Sequence, residues 1–350
     1  MKISGYYKEK KDNVTLLLSY ENLNKYDLIY ISKVFTDTDI PKEILKLPNI
    51  KYGGTGFFYD KAPNLPDKIE HHMPDYHLYD EWVKIQLNNG KKRKKFEYYL
   101  DYSLGFTTRG CFRKCSFCVN QKYNHVFAHS PLEEFFDPSR KYICLLDDNI
   151  LGYSNWEDII IQLKNTNKQF QYKQGMDLRI MTDEKAKILC KSKYRGDYIF
   201  AFDDIRDKDI IEEKLKLWKK YNITKGQNTK LYVFCGYDRN NKYDQNFWKQ
   251  DIIDLFERIK ILMKYNCKPY IMRYNKYQES PYRGIYINIA QWCNQPQFLS
   301  KLSYRKMCEK DNERKGGNSA TIRYNNAFEK ECPSIANKYF DLNFKDIIKY

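Results

Sequence analysis

Apolar positions along this chain alternate between short continuous runs and longer amphipathic stretches, and the alternation is clearest after residue 100. Strands that alternate with helices of about ten to fifteen residues are typical of parallel βα units. The predicted strands span 102–107, 141–146, 170–173, 198–202, 231–235 and 269–272. The predicted helices span about 156–164, 183–192, 208–221 and 250–265.

The first sixty residues carry a weaker version of the same pattern. Apolar runs at 15–19, 27–31 and 50–52 predict three short strands, and Pro41–Lys46 predicts a helix that begins with proline. These elements indicate a small doubly wound sheet. The prolines and the Asn-Gly turn of residues 61–100 predict a linker, whereas residues 285–350 predict two short helices and a loop at 316–319.

Three cysteines follow the first strong strand in the spacing C-x3-C-x2-C. They are Cys111, Cys115 and Cys118. Three thiolates on one short loop can hold three corners of a cubane iron–sulfur cluster and leave the fourth iron without a protein ligand. The spacing therefore predicts a metal centre with one open coordination position.

A structural zinc site is the alternative use of this segment. Cys115 and Cys118 are followed by His125 and His129, which gives four residues of zinc-ligand type. That assignment leaves Cys111 unused, and the segment between Cys118 and His125 is shorter than in the usual zinc finger. A disulfide is disfavoured because no apolar run with a cleavage site follows Met1, so we expect a reducing, cytoplasmic setting.

The cysteine spacing, with Phe117 just before the third cysteine and Arg109-Gly110 just before the first, resembles the radical S-adenosylmethionine (SAM) enzymes. The resemblance implies a [4Fe-4S] cluster on the three cysteines and SAM chelated at the open iron. It also implies reductive cleavage of SAM to a 5'-deoxyadenosyl radical, which abstracts hydrogen from an unidentified substrate. A one-electron reductant of the flavodoxin or ferredoxin type is the implied partner.

The same resemblance fixes the expected architecture. It implies an α/β protein with a Rossmann-like domain at 1–60, a linker wrapping the barrel at 61–100, a partial (βα)6 radical SAM barrel at 101–284 and an α-rich extension at 285–350. In such barrels the chemistry lies on the loops after the strands.

Polar side chains follow the predicted strands, as this architecture requires. Asp148 and Asn149, in an acidic variant of the family's Gly-Gly-Glu motif, are expected at the SAM amino group. The resemblance places Phe117 beside the adenine, Gln174 or Asp177 at the ribose and Arg179 at the SAM carboxylate. The expected substrate contacts at later strand ends are Asp204, Tyr237 and Arg273.

The N-terminal segment resembles the cobalamin-binding domain that precedes many radical SAM barrels, with Ser32 after one strand and a Gly-Gly turn after the next. The family's lower-ligand histidine should precede these elements, yet the first histidine of this chain is His71. We therefore favour a degenerate domain, with a cobalamin-dependent methyltransferase as the alternative enzyme. RNA methylthiolation is disfavoured because no cysteine precedes Cys111.

The net charge of +16 suggests nucleic acid as a possible partner, and the alternative from another class is a zinc-stabilised nucleic-acid-binding protein. Lys91–Lys95 is the single true basic run, and such runs are usually solvated. The sequence contains no stretch of about 18 apolar residues, so no membrane span is predicted. The cysteines that follow the loop lack the close pairs of a second cluster site and are predicted to be core thiols: Cys144, Cys190, Cys235, Cys267, Cys293, Cys308 and Cys332.

Overall fold

The computed structural model describes residues 1–223 and 229–348, and the chain divides into two compact units, Met1–Phe170 and Gln171–Tyr350. It is a mixed α/β protein with parallel sheets, as predicted. The strands are β1 Ile29–Ser32, β2 Ile50–Gly53, β3 Tyr102–Gly105, β4 Thr108–Arg109, β5 Phe127–Ala128, β6 Tyr142–Leu145, β7 Gln169–Tyr172, β8 Tyr198–Ala201, β9 Thr229–Cys235 and β10 Lys268–Arg273.

The α-helices are concentrated after β6. They are α1 Lys2–Glu9, α2 Thr55–Phe58, α3 Asp67–Glu70, α4 Asp80–Asn88, α5 Glu97–Leu100, α6 Trp156–Asn165, α7 Asp183–Lys191, α8 Lys208–Tyr221, α9 Gln245–Lys264, α10 Arg283–Asn294, α11 Pro296–Leu299, α12 Tyr304–Arg314, α13 Ala320–Glu331, α14 Pro333–Tyr339 and α15 Phe344–Ile347. No helix in residues 1–223 or 229–348 is long and apolar enough to cross a membrane.

The N-terminal segment departs from its prediction. β1 and β2 form a parallel pair, with Ile29 opposite Ile50, but residues 15–19 form no strand and Leu18 is 66% exposed. A short apolar run without periodicity does not distinguish a strand from an irregular segment, so this prediction was wrong. The helix predicted at 41–46 is reduced to a 3-10 turn at Ile44–Lys46.

The parallel pair β3–β6 positions the cysteine segment in the first unit. Its register runs from Tyr102 opposite Tyr142 to Gly105 opposite Leu145. Ile143, Cys144 and Leu145 are fully buried, which is typical of parallel strands covered on both faces. A Cβ on Gly105 would lie 2.2 Å from the ring of Phe135, so only glycine allows this packing.

The second unit contains the parallel sheet β10–β9–β8. β9 pairs with both neighbours, with Thr229 opposite Tyr198 and Lys230 opposite Lys268. Helix α8 packs through the buried residues Ile211, Leu215 and Trp218, whose spacing is that of one helical face.

Helix α9 begins earlier than predicted. Its first residue is Gln245 instead of Gln250, because the Asp244 carboxylate accepts a hydrogen bond from the Phe247 backbone N–H at 2.8 Å and caps the helix. The tail is more helical than predicted, with α10 to α15 filling residues 283–347. The predicted domain boundaries at residues 60, 100 and 284 remain predictions.

Candidate functional site

The cysteine loop, residues 110–126, begins and ends at a short antiparallel ladder. Thr108 of β4 pairs with Ala128 of β5, and Arg109 pairs with Phe127. Gly110 starts the loop with φ +86°, and a Cβ there would lie 2.4 Å from the His125 carbonyl oxygen. Glycine is therefore needed at this position for both conformation and space. The three cysteines are carried on a loop that is closed at its base.

Asp147 fixes the segment that leads into this loop. Its carboxylate accepts hydrogen bonds from the backbone N–H groups of Thr107 and Thr108 at 3.2 and 2.6 Å, and from their hydroxyls at 2.6 and 2.7 Å. Burial raises the pKa of Asp147, while the four donors oppose that rise. Asp147 thus ties the end of β6 to the start of β4.

Asp148 joins the two sides of the cysteine loop. One carboxylate oxygen accepts a hydrogen bond from the Gly110 backbone N–H at 2.8 Å, and the other accepts one from the Asn120 side-chain amide at 2.7 Å. Gly110 precedes the first cysteine and Asn120 follows the third. The carboxylate that was expected at the SAM amino group therefore holds the loop.

The sulfur atoms receive N–H donors from the loop and from the end of β6. Cys111 Sγ accepts from the Arg113 backbone N–H at 3.3 Å and from the Asn149 side-chain amide at 3.6 Å. Cys118 Sγ accepts from the Asn120 backbone N–H at 3.4 Å. Donors of this kind stabilise thiolate charge and tune the potential of iron–sulfur clusters.

By residue type, the three thiols of this loop match the ligands of a cubane cluster. Cys111, Cys115 and Cys118 are all partly exposed on one loop. Within residues 1–223 and 229–348, no three His, Cys, Asp or Glu side chains are gathered closely enough to hold a metal ion. The match to a cluster therefore rests on three observations: the ligands are thiols, the three cysteines share one loop, and N–H groups donate to Cys111 and Cys118.

The remaining cysteines differ from these three. Cys190 was predicted to be a core thiol, but it is partly exposed because it lies near the end of α7, and partial burial raises its pKa to about 11. Six others are buried, and burial raises the pKa of four of them. The buried thiols are Cys144, Cys235, Cys267, Cys293, Cys308 and Cys332, and those with a raised pKa are Cys235, Cys267, Cys293 and Cys308. Such thiols behave as small apolar core groups.

Phe117, expected beside the adenine, is half-buried. Its carbonyl oxygen accepts a hydrogen bond from the Tyr59 hydroxyl at 2.6 Å. Tyr59 itself has φ +51°, which is uncommon for a residue other than glycine. The contact links the centre of the cysteine loop to the segment after α2.

An ionic network centred on Glu70 lies at the base of the loop. The Glu70 carboxylate is 3.0 Å from His129 Nε2, 3.7 Å from the Arg109 guanidinium and 3.5 Å from Lys2 Nζ. Burial would raise its pKa, but these three partners lower it to about 2. Because His129 is held here, the network also engages one of the four residues of the zinc alternative.

Three of the expected SAM residues lie in the second unit. Asp177 accepts hydrogen bonds from the Arg179 backbone N–H at 3.2 Å and from its Nε at 2.8 Å, and Arg179 also pairs with Asp207 at 2.7 Å. Gln174 is exposed. The arrangement brings Asp177 and Arg179 together as an ion pair.

The end of β8 holds two aspartates with different environments. Asp204 caps the following 3-10 turn and pairs with Arg206 and Arg239 at 2.6 and 2.7 Å. Asp203 accepts from the Phe234 backbone N–H at 3.1 Å, and desolvation raises its pKa to about 6. Asp204 thus serves as a cap. Its position at the end of a strand is equally compatible with capping and with ligand binding, so the sequence could not distinguish the two roles.

Arg258, which the sequence analysis did not single out, is 2% exposed in the middle of α9. Its guanidinium donates to the carbonyl oxygens of Phe202 at 3.2 Å, Asp203 at 2.9 Å and Phe234 at 2.8 Å. It therefore satisfies backbone acceptors at the ends of both β8 and β9. The sequence signal that could have identified it is an arginine among the apolar positions of the predicted helix 250–265.

The remaining candidates surround the ends of β9 and β10. Tyr237 packs against Tyr274 with ring centroids 5.0 Å apart, and the Arg273 guanidinium lies 4.5 Å from the centroid of the Tyr277 ring. Phe117, Asp148 and Asn149 thus lie in the first unit with the cysteines, whereas the candidates from Gln174 to Arg273 lie in the second.

No family model matches this chain. No curated protein matches it either. Among solved structures, it is similar to Streptococcus suis SuiB, described as bound to S-adenosylmethionine, with 12% sequence identity and a TM-score of 0.34. The match covers 67% of this chain and 52% of the other, so the chain spans about half the length of that structure. A likeness of this degree does not establish a shared fold.

Proposed function

We propose that this protein is a SAM-utilising enzyme of the radical SAM type, with Cys111, Cys115 and Cys118 as ligands of a [4Fe-4S] cluster. The arrangement of the cysteine loop carries the proposal. Asp148 joins residues on both sides of the three cysteines, and N–H groups donate to Cys111 and Cys118. When bound, such a cluster supplies one electron for reductive cleavage of SAM.

The chain's own residues would hold and orient the two cofactors. Asp147 and Asp148 fix the loop, and Asn149 places an amide against Cys111. Asp148 also remains a candidate for the SAM amino group, because each carboxylate oxygen has two lone pairs and here accepts one donor. In the second unit, we propose Gln174 and Asp177 for the ribose and Arg179 for the carboxylate of SAM.

The substrate would be held by groups at the ends of later strands. Tyr237 and Arg273 offer an aromatic face and a cation, and Asp204 offers a carboxylate. We propose that a one-electron reductant of the flavodoxin or ferredoxin type supplies the electron. The arrangement of 1–60, 61–100, 101–284 and 285–350 as Rossmann-like domain, linker, partial barrel and helical extension is part of the same proposal.

Anaerobic purification and reconstitution test this assignment. We expect a brown protein with iron and sulfide, which forms 5'-deoxyadenosine from SAM under a strong reductant. Cys115→Ala should lose the colour and the product, whereas Cys190→Ala, a matched change of another partly exposed thiol, should keep both. A colourless protein with stoichiometric zinc would establish the zinc alternative, and tight binding of hydroxocobalamin would establish the cobalamin alternative.

A further inference from the structure

The basic run Lys91–Lys95 is an ordered feature of the first unit. Helix α4 ends at Asn88, and Gly90 follows the cap residue Asn89 with φ +76°. The Gly90 N–H donates to the Leu87 carbonyl oxygen at 3.0 Å, and the Lys91 N–H donates to the Gln86 carbonyl oxygen at 3.1 Å. This is a Schellman ending, which fixes the chain direction at the start of the run. The run is therefore held by its helix and is not a free linker.

The other end of the run is anchored by a buried ring and an ion pair. Phe96 is 6% exposed and packs edge-on against Trp82 of α4, with centroids 5.5 Å apart. Arg93 pairs with both carboxylate oxygens of Asp101, at 2.7 and 2.9 Å. A 3-10 turn at Arg93–Phe96 joins these anchors. Lys94 and Lys95 lie within this turn, and Lys91 and Lys92 directly precede it.

Four lysines of the run are exposed: Lys91, Lys92, Lys94 and Lys95. Within the described part of the chain, no carboxylate lies at ion-pair distance from any of the four. Four like charges within five consecutive residues repel one another, and a dense line of phosphates offsets that repulsion. The surface is thus complementary to a polyanion.

Half-buried aromatic rings contact Phe96, the residue that directly follows these lysines in the chain. Tyr79, Trp82 and Tyr99 form one cluster, in which Tyr99 lies 5.0 Å from Tyr79 and 5.3 Å from Trp82 between centroids. Partly exposed rings next to cations are the arrangement that single-stranded nucleic acids use, because bases stack on the rings while phosphates contact the lysines. Ile85 is the one exposed large apolar side chain of residues 80–100, which is too little for insertion into a bilayer.

We propose that the surface formed by Lys91, Lys92, Lys94 and Lys95 with Tyr79, Trp82 and Tyr99 binds single-stranded nucleic acid. It lies at the amino end of the β3–β6 pair, since Asp101 precedes β3 and also pairs with Lys141 before β6. The cysteine loop follows the carboxyl end of β3. This surface is therefore separate from the cysteine site, and its function does not depend on the cluster.

Fluorescence anisotropy of the full chain with a labelled single-stranded RNA of about twenty nucleotides tests the proposal. We expect binding to weaken at least about tenfold in the fourfold variant Lys91→Gln/Lys92→Gln/Lys94→Gln/Lys95→Gln. A plot of log binding constant against log salt concentration should also become shallower by up to about 3, at about 0.7 per lost phosphate contact. Replacing the same four lysines by arginine should preserve binding.

The matched control places the same charge change elsewhere. Lys216, Lys220, Lys306 and Lys310 are exposed on α8 and α12, and their fourfold change to Gln should leave affinity within about twofold. Equal loss in both variants would assign binding to net charge and overturn the proposal. Duplex RNA that displaces the labelled strand as well as single-stranded RNA does would also overturn it. So would vesicles containing phosphatidylserine that lose binding in the fourfold Lys→Gln variant while RNA binding is unchanged.

Discussion

The Asp148 carboxylate accepts a hydrogen bond from the backbone N–H of Gly110 at 2.8 Å, and this contact ties the start of the cysteine loop to the end of β6. The relationship joins residues 38 positions apart in the chain. Because the same carboxylate also accepts from Asn120, its loss should loosen the loop on both sides of the cysteines.

Asp148→Asn tests that role. The amide keeps one acceptor but presents an N–H₂ group to either Gly110 or Asn120, so one charge-assisted hydrogen bond is replaced by a clash of donors. We expect a loss of about 1 to 3 kcal/mol in unfolding free energy and a reduced iron content after reconstitution. Asp158→Asn, an exposed position on α6, is the control. Full iron content with an unchanged melting temperature would show that Asp148 does not hold the loop.

Glu70→Gln should weaken the base of the loop, because it leaves Lys2, Arg109 and His129 without their shared carboxylate. In the folded protein the pKa of Glu70 is about 2, against an ordinary value of 4.5. A lowered pKa contributes stability that is present above the ordinary value and is lost as the pH falls towards the folded value. Wild type should therefore exceed the variant in stability at neutral pH, and the difference should shrink between about pH 4.5 and 2.

Chemical denaturation across this pH range measures the effect. Glu81→Gln, at an exposed position of α4, provides the matched control and should show no such convergence. A Glu70→Gln difference that stays constant down to about pH 2 would contradict the ionic origin of the effect.

Asp203 should have the opposite pH dependence. Desolvation raises its pKa to about 6 from an ordinary 3.8, so the folded state binds more protons than the unfolded state between these values. Stability from this group is full below the ordinary value and is lost as the pH rises through about 6. Asp203→Asn keeps an acceptor for the Phe234 N–H and should be more stable than wild type at neutral pH, by on the order of 1 to 3 kcal/mol.

Unfolding midpoints from about pH 4 to 8 would check this expectation. The advantage of Asp203→Asn should disappear towards the acid end of the range. Asp209→Asn, in the first turn of α8, serves as a carboxylate control. A variant that is less stable than wild type at every pH would show that the charged form of Asp203 is needed in the fold.

Arg258→Met should be strongly destabilising. The change preserves much of the side-chain volume but leaves carbonyl oxygens of Phe202, Asp203 and Phe234 without their donor. We expect a loss of about 3 to 5 kcal/mol, as for removal of one partner from a buried charged network. Arg239→Met, which removes a half-exposed partner of Asp204, should cost about 1 kcal/mol or less. Equal losses of stability in the two variants, measured by thermal unfolding, would contradict the role of Arg258 as a buried donor to these carbonyl oxygens.

The order of strands and helices was largely predictable, because the elements after residue 100 have clear apolar periodicity and good termini. Helix α8 matches its predicted range of 208–221, and the two strands after it, β9 and β10, contain the predicted apolar runs 231–235 and 269–272. Residues 15–19 were not predictable in this way, since a run of leucines forms a strand only where an edge is available to pair with.

The sequence by itself determined the three thiols, their spacing and the polar residues that follow the strands, because these are properties of local order along the chain. Tertiary structure alone decided how those residues are used. Asp148 became a bridge between Gly110 and Asn120, and Glu70 became the partner of Arg109 and His129. Each contact joins distant positions and depends on the folded backbone to bring a desolvated acceptor to its donor, which no local pattern encodes.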